Sequence, residues 1–155
     1  MKIKLVKAET DDMKEIWHMQ REGFSELLEK YKDHELSPAA ESYERILEKS
    51  EMQGSFYYFI KEENVNVGVI RIIDNHDGIR KRISPLWIMP GYRGRGYAQA
   101  AIREAENIHG AHCWSLDTIL QEKGNLYLYE KLGYHQTGRI ERINDRMDIV
   151  YYEKD

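Results

Sequence analysis

A single cysteine, three prolines and no long apolar run are the scarcities of this chain. One thiol, Cys113, forms no disulfide within the chain, so a reducing cytoplasm is the expected setting. No stretch approaches the roughly 18 apolar residues that a membrane-spanning helix needs, so no membrane partner is expected. The opening MKIKLVKAET alternates like a strand and lacks the apolar block of a secretory leader. Net positive charge is missing too. The formal charge is −4, whereas a general nucleic-acid binder carries a basic domain. Repeats, low-complexity tracts and linkers are absent, and the 155 residues read as one domain, 1–155, large enough to bury a continuous core.

What is present is unevenly arranged. Eleven tyrosines and three tryptophans argue against disorder. Between Glu9 and Glu35 nine acidic residues face four basic ones, whereas Ile79 to Arg103 holds six arginines or lysines and no acid. This is the charge layout of two solvated faces, or of one lobe for a cation and another for an anion.

The apolar periodicity predicts the elements. Ile3 to Ala8 alternates as a strand. Met13, Ile16, Trp17, Phe24, Leu27, Leu28 and Tyr31 recur at three and four residues as a helix stripe that Gly23 breaks. Ser37 and Pro38 suit a helix start, with Tyr43, Ile46 and Leu47 inward. SFYYFIKEE and VNVGVIRIID form a hairpin around Asn64, and IRKRISPLWIM adds a strand in which Pro85 demands a bulge or splay. Ala98, Ala101, Ile102, Ala105 and Ile108 make a helix stripe ended by Gly110. HCWSLDTI is a strand that buries Cys113, and NLYLYEKLGY a short helix closed by Gly133. Two strands turning at Asn144 and Asp145 finish the chain. The order is that of a mixed α/β sandwich, with helices packed on one sheet.

The densest positive charge falls on PGYRGRGYA, where a strand ends and a helix begins. The first helical turn leaves N–H groups unpaired, and the dipole adds roughly half a positive charge there. Gly94, Gly96 and Ala98 are small enough for those N–H groups to converge on one phosphate, with Arg93 and Arg95 at the rim. The stretch is a diphosphate cradle. It is not a mononucleotide P-loop, which ends in Gly-Lys-Ser/Thr, nor the G-x-G-x-x-G dinucleotide turn, because Gln99 stands where the third glycine belongs.

PGYRGRGYA following LWIM resembles the Arg/Gln-x-x-Gly-x-Gly/Ala motif of the GNAT superfamily of acyl-CoA-dependent N-acetyltransferases, falling on Arg93, Gly96 and Ala98. LYEKLGY, from Leu128 to Tyr134, is similar to that family's second element. The resemblance implies an α/β (α+β) three-layer sandwich whose mixed, mostly antiparallel sheet is splayed near the fourth strand. It implies acetyl-CoA as co-substrate, with no metal. The diphosphate would lie on the N–H groups of Arg93, Gly94, Arg95, Gly96, Tyr97 and Ala98, and the pantetheine arm along Leu86 and Ile88. Many relatives carry an asparagine seven positions before the motif tyrosine to contact the cofactor. Here Glu122 stands there, and Asn125 follows three residues later.

The resemblance also implies direct acetyl transfer to an amine, with Tyr129 protonating the departing thiolate. A thiol near 8.5 against a tyrosine near 10 makes that transfer uphill by about 2 kcal/mol in water, and desolvation of the thiolate narrows the gap. Candidate bases or acceptor-binding groups are Glu22, Asp33 and Asp117, with Tyr31 beside them. The acceptor is expected to be a small cationic amine or a peptide amine. The alternative is an acyl-CoA-binding module without turnover. A homodimer through the strands from Arg139 to Tyr152 is possible on this reading. His109 and His112 with Cys113 straddle a helix end, which is poor metal-site geometry.

Overall fold

The computed structural model describes residues 2–155. Seven strands form one sheet in the order β1-β2-β3-β4-β5-β7-β6. They are β1 (Lys4–Lys7), β2 (Ser55–Glu62), β3 (Val65–Ile73), β4 (Lys81–Ile88), β5 (Trp114–Ile119), β6 (His135–Asn144) and β7 (Met147–Lys154). The helices are α1 (Met13–Gly23), α2 (Ser25–Tyr31), α3 (Tyr43–Glu51), α4 (Tyr97–His109) and α5 (Lys123–Lys131). Neighbouring strands run antiparallel except β4 and β5, which are parallel.

The central strands are apolar on both faces because both faces are covered. Along β2, Tyr57 and Phe59 pack with Met13 and Ile16 of α1 and Ile46 of α3. The alternate residues Tyr58 and Ile60 pack with Ala101, Ile102 and Ala105 of α4, and with Leu126 and Tyr129 of α5. The period of two in the sequence thus becomes two cores, one on each side of the sheet. The result is the three-layer sandwich.

Two expected interruptions occur where their residues demand them. The long helix stripe breaks at Gly23, which ends α1. A Cβ there would lie 2.4 Å from Trp87 Cδ1, so only glycine lets the helix end rest on that indole. The bulge falls at Pro85: Ile83 pairs with Ile72 and Leu86 with Ile70, so Ser84 and Pro85 together oppose Arg71. Arg71 is buried and donates from Nη1 to the Ser84 carbonyl (3.2 Å) and from Nε to Ser55 Oγ (2.9 Å), which fixes the bulge from behind.

Three expectations need correction. Ser37 caps a short 3-10 turn, Pro38–Ala40, and α3 starts at Tyr43, where Ser42 Oγ accepts from Arg45 N (3.1 Å). Glu41 and Ser42 are extended, so the second serine takes the capping role. Ile108 is exposed, and Tyr97 takes the fourth buried place on α4. Cys113 is exposed in a bend with φ of 64°, because β5 begins only at Trp114.

Candidate active site

β4 and β5 pair through Lys81–Trp114 and Arg82–Ser115 and then part. The fork between them opens because the Pro85 bulge turns β4 away, and no strand fills it. Met89 N donates to Val67 O (2.8 Å), so by strand alternation the peptide groups of Ile88 and Leu86 turn the other way, into the fork. Arg93 Nε occupies the Ile88 carbonyl (2.9 Å). That leaves the Ile88 N–H and both groups of Leu86 facing the gap.

At the top of the fork β4 runs into the turn Pro90–Tyr92 and then α4. Gly94 and Gly96 have φ of 76° and 86°, and Gly96 is the residue before the first helical one. Among the described residues nothing accepts from the N–H groups of Gly94 through Ala98. A Cβ built on Gly94 meets no atom within 4 Å, so the concavity in front of it is open. This is the geometry of an anion site at a helix start. The Arg95 guanidinium stands 5.7 Å from the Tyr92 ring centre, at the rim. Arg93 has a different task for its side chain: beyond Ile88 O it donates to Gly23 O (2.6 Å) and Glu26 Oε2 (3.3 Å), clamping the junction of α1 and α2. Its peptide N–H remains on the cradle.

Below, the fork widens into a cavity of ≈ 350 Å³. Leu86, Asp117, Asn125 and Tyr129 line it from the fork side, Tyr31 and Asp33 from the opposite wall. Tyr129 is 8% exposed, and its hydroxyl has no hydrogen-bond partner among the described residues. Burial, and secondarily the negative charge of Asp117, push its phenol well above the ordinary value. It is therefore held protonated at the floor of the cavity. Asn125 donates its side-chain amide to Thr118 Oγ1 (3.3 Å). Asp117 is paired with Arg82 across the root of the fork. Asp33 is 8% exposed and accepts from Leu36 N (2.9 Å), with no cation in contact among the described residues.

The structure does not bring Glu22 to this cavity. The buried stripe of α1 runs through Met13, Ile16, Gln20 and Gly23, leaving Glu22 exposed off that stripe. Sequence reading also missed part of the wall. Glu41, paired with Lys49, lines it. So do Glu141 and Tyr151, joined by a 2.8 Å hydrogen bond from the Tyr151 hydroxyl. Asp117 and Tyr151 are register partners on β5 and β7, which only the tertiary pairing of chain ends reveals. The two histidines do not join Cys113. The His109 side chain is 5% exposed, with Nε2 2.8 Å from the Tyr58 hydroxyl and Nδ1 2.8 Å from Asp74.

A sheet forked beside a glycine-lined helix start, with a protonated tyrosine below, defines the acyl-CoA N-acyltransferase class. The chain belongs to the acetyltransferase (GNAT) family, whose model matches residues 13–134. The fold is shared with solved structures of low identity. The spermidine N-acetyltransferase from Vibrio cholerae, in complex with CoA and spermine, has a TM-score of 0.75 and 19% identity over 97% of this chain and 93% of that one. The ribosomal-protein-S18-alanine N-acetyltransferase from Escherichia coli has a TM-score of 0.75 and 14% identity, covering 97% and 92%. The IAA acetyltransferase from Bacillus cereus has a TM-score of 0.67 and 14% identity, covering 99% and 100%. No curated protein sequence is matched.

Proposed function

We propose that this protein transfers an acetyl group from acetyl-CoA directly to the primary amine of a small cationic molecule, in a reducing cytoplasm. The observation that carries the proposal is the conjunction of three features: the open N–H cradle of Gly94 to Ala98, the peptide groups of Leu86 and Ile88 on the strand that runs into it, and Tyr129 in the wall of the cavity that Leu86 also lines.

The residues present fit the co-substrate. The cradle takes an anion, the fork takes an extended arm as an added strand, and the cavity lies beyond. Acetyl-CoA supplies the activated acetyl thioester. The chain supplies the rest. The Ile88 N–H, unused by β3, is placed to polarise a carbonyl in the fork. Tyr129 holds the proton that a departing thiolate needs. A lysine-like ammonium near pKa 10.4 is free amine only about once in 2,500 molecules at pH 7, so the acceptor must be relieved of a proton. Asp117 is the carboxylate whose charge reaches Tyr129, and it serves as the proton acceptor, through water. Asp33, whose Oδ1 accepts from Leu36 N, adds a second carboxyl group to the acceptor wall.

A thiol-release screen with acetyl-CoA against polyamines, amino acids, aminoglycosides and short peptides tests the reading. Turnover with cationic amines is expected. Tight CoA binding without thiol release from any amine would instead make the protein a binding module. Tyr129→Phe should lower kcat about 100-fold or more, with the acetyl-CoA KM changed less than about twofold. An unchanged kcat would take Tyr129 out of the chemistry.

A further inference from the structure

Glu122 has no part in the reaction proposed above, yet its carboxylate is tied to Tyr31, a residue of the cavity wall. It precedes the first residue of α5, and its side chain makes no capping hydrogen bond there. Its Oε2 instead accepts from the Tyr31 hydroxyl and from Lys30 Nζ, 2.8 Å away, both on α2. Tyr31 is 4% exposed and lines the acceptor wall. The Tyr31 carbonyl is held from a third side by Asn144 Nδ2 (3.0 Å), at the turn between β6 and β7. α2 has seven residues, too few to be stable as a helix by itself. Its position therefore depends on what it is tied to.

We infer that Glu122 is a positioning residue for the amine: by holding Tyr31 it closes α2 against α5 and fixes the wall that the acceptor meets. The inference rests on the acetyltransferase reading for its kinetic consequence, but the tie itself does not. Of the two bonds, the one to Tyr31 carries the role. Lys30 is 59% exposed and Glu122 24%, and an ion pair so open to water contributes little. A buried hydroxyl donating to a carboxylate is the stronger and more directional bond.

The test compares Glu122→Ala, Glu122→Gln, Tyr31→Phe and Lys30→Met with the unmodified chain. Steady-state kinetics with the best amine from the screen, CoA calorimetry and hydrogen exchange over Ser25–Tyr31 are measured on each. Glu122→Ala and Tyr31→Phe should raise the acceptor KM about tenfold, with the CoA Kd and acetyl-CoA KM within twofold. Glu122→Gln should recover part of the loss, because an amide oxygen still accepts from Tyr31. Lys30→Met should change little. The Glu122→Ala/Tyr31→Phe double variant should be no worse than either single one, since both delete one bond. Amides of α2 should exchange faster in both single variants. A weakened CoA Kd in Glu122→Ala would overturn the inference and put Glu122 on the cofactor side. So would an unchanged acceptor KM. If the unmodified chain turned over no amine, the functional reading would fall. Exchange would then decide the tie: unchanged α2 protection in Glu122→Ala would refute it.

Discussion

Tyr129 and Asp74 are displaced in opposite directions from their ordinary pKa values, and the consequences are opposite too. Tyr129 must carry a proton to act. Burial first, then Asp117, raise its phenol, so it stays protonated up to and beyond pH 10. The kcat of the acetyl transfer should therefore show no alkaline fall from loss of that proton below pH 10. A descending limb below pH 10 that disappears in Tyr129→Phe would contradict the assignment. At Asp74 burial alone would raise the carboxyl. Hydrogen bonds from His109 and from His76 N outweigh it and hold the group below the usual carboxylate range. A depressed folded value contributes stability that is present above the unfolded pKa near 3.9 and lost as pH falls through the folded value. Asp74→Asn should lower Tm at pH 7. Followed by circular dichroism, the gap to the unmodified chain should close as pH falls below about 4. A gap that persists at pH 2 would mean that packing, not charge, is what Asp74 contributes.

The elements were legible to the extent that their periodicity was local. The alternation in β2 and β3, the break at Gly23 and the bulge at Pro85 each depend on neighbours in sequence, and each is found. The N-terminal end of α4 was legible for the same reason: Gly94 and Gly96 both adopt the positive φ that the motif requires. Element ends set by competition were not. Ser37 and Ser42 both offer a cap, and only extended backbone at Glu41 and Ser42 decides between them. The acidic cavity wall was half legible. Asp33 and Asp117 lie in it, but Glu141 and Tyr151 reach it through a sheet order that returns the last strands beside β5. The cradle gives a prediction at this scale. Gly94→Val has room for its side chain on the protein side, so its structural penalty is the backbone cost of positive φ, about 1–2 kcal/mol, or a Tm loss of roughly 2–8 °C. Its branched side chain would fill the concavity, so CoA affinity by calorimetry should drop at least tenfold. A normal Kd would show that the anion lies elsewhere.

Across the whole molecule, the sheet is held over the fork by a short length of pairing. The first four strands meet the last three through Lys81–Trp114 and Arg82–Ser115, with the Arg82–Asp117 ion pair beside them. Ligand binding should therefore register as stability. CoA at 100 times its Kd should add about 2.7 kcal/mol, a Tm rise of roughly 5–10 °C, visible in a thermal-shift titration and cut to about half or less at the same CoA concentration in Gly94→Val. No shift at saturating CoA would argue against occupancy of the fork. The fork makes the sheet two leaves on a spine two rungs long. A guest threaded between them is mortar as much as cargo, and each round of turnover ends by withdrawing a course from the wall.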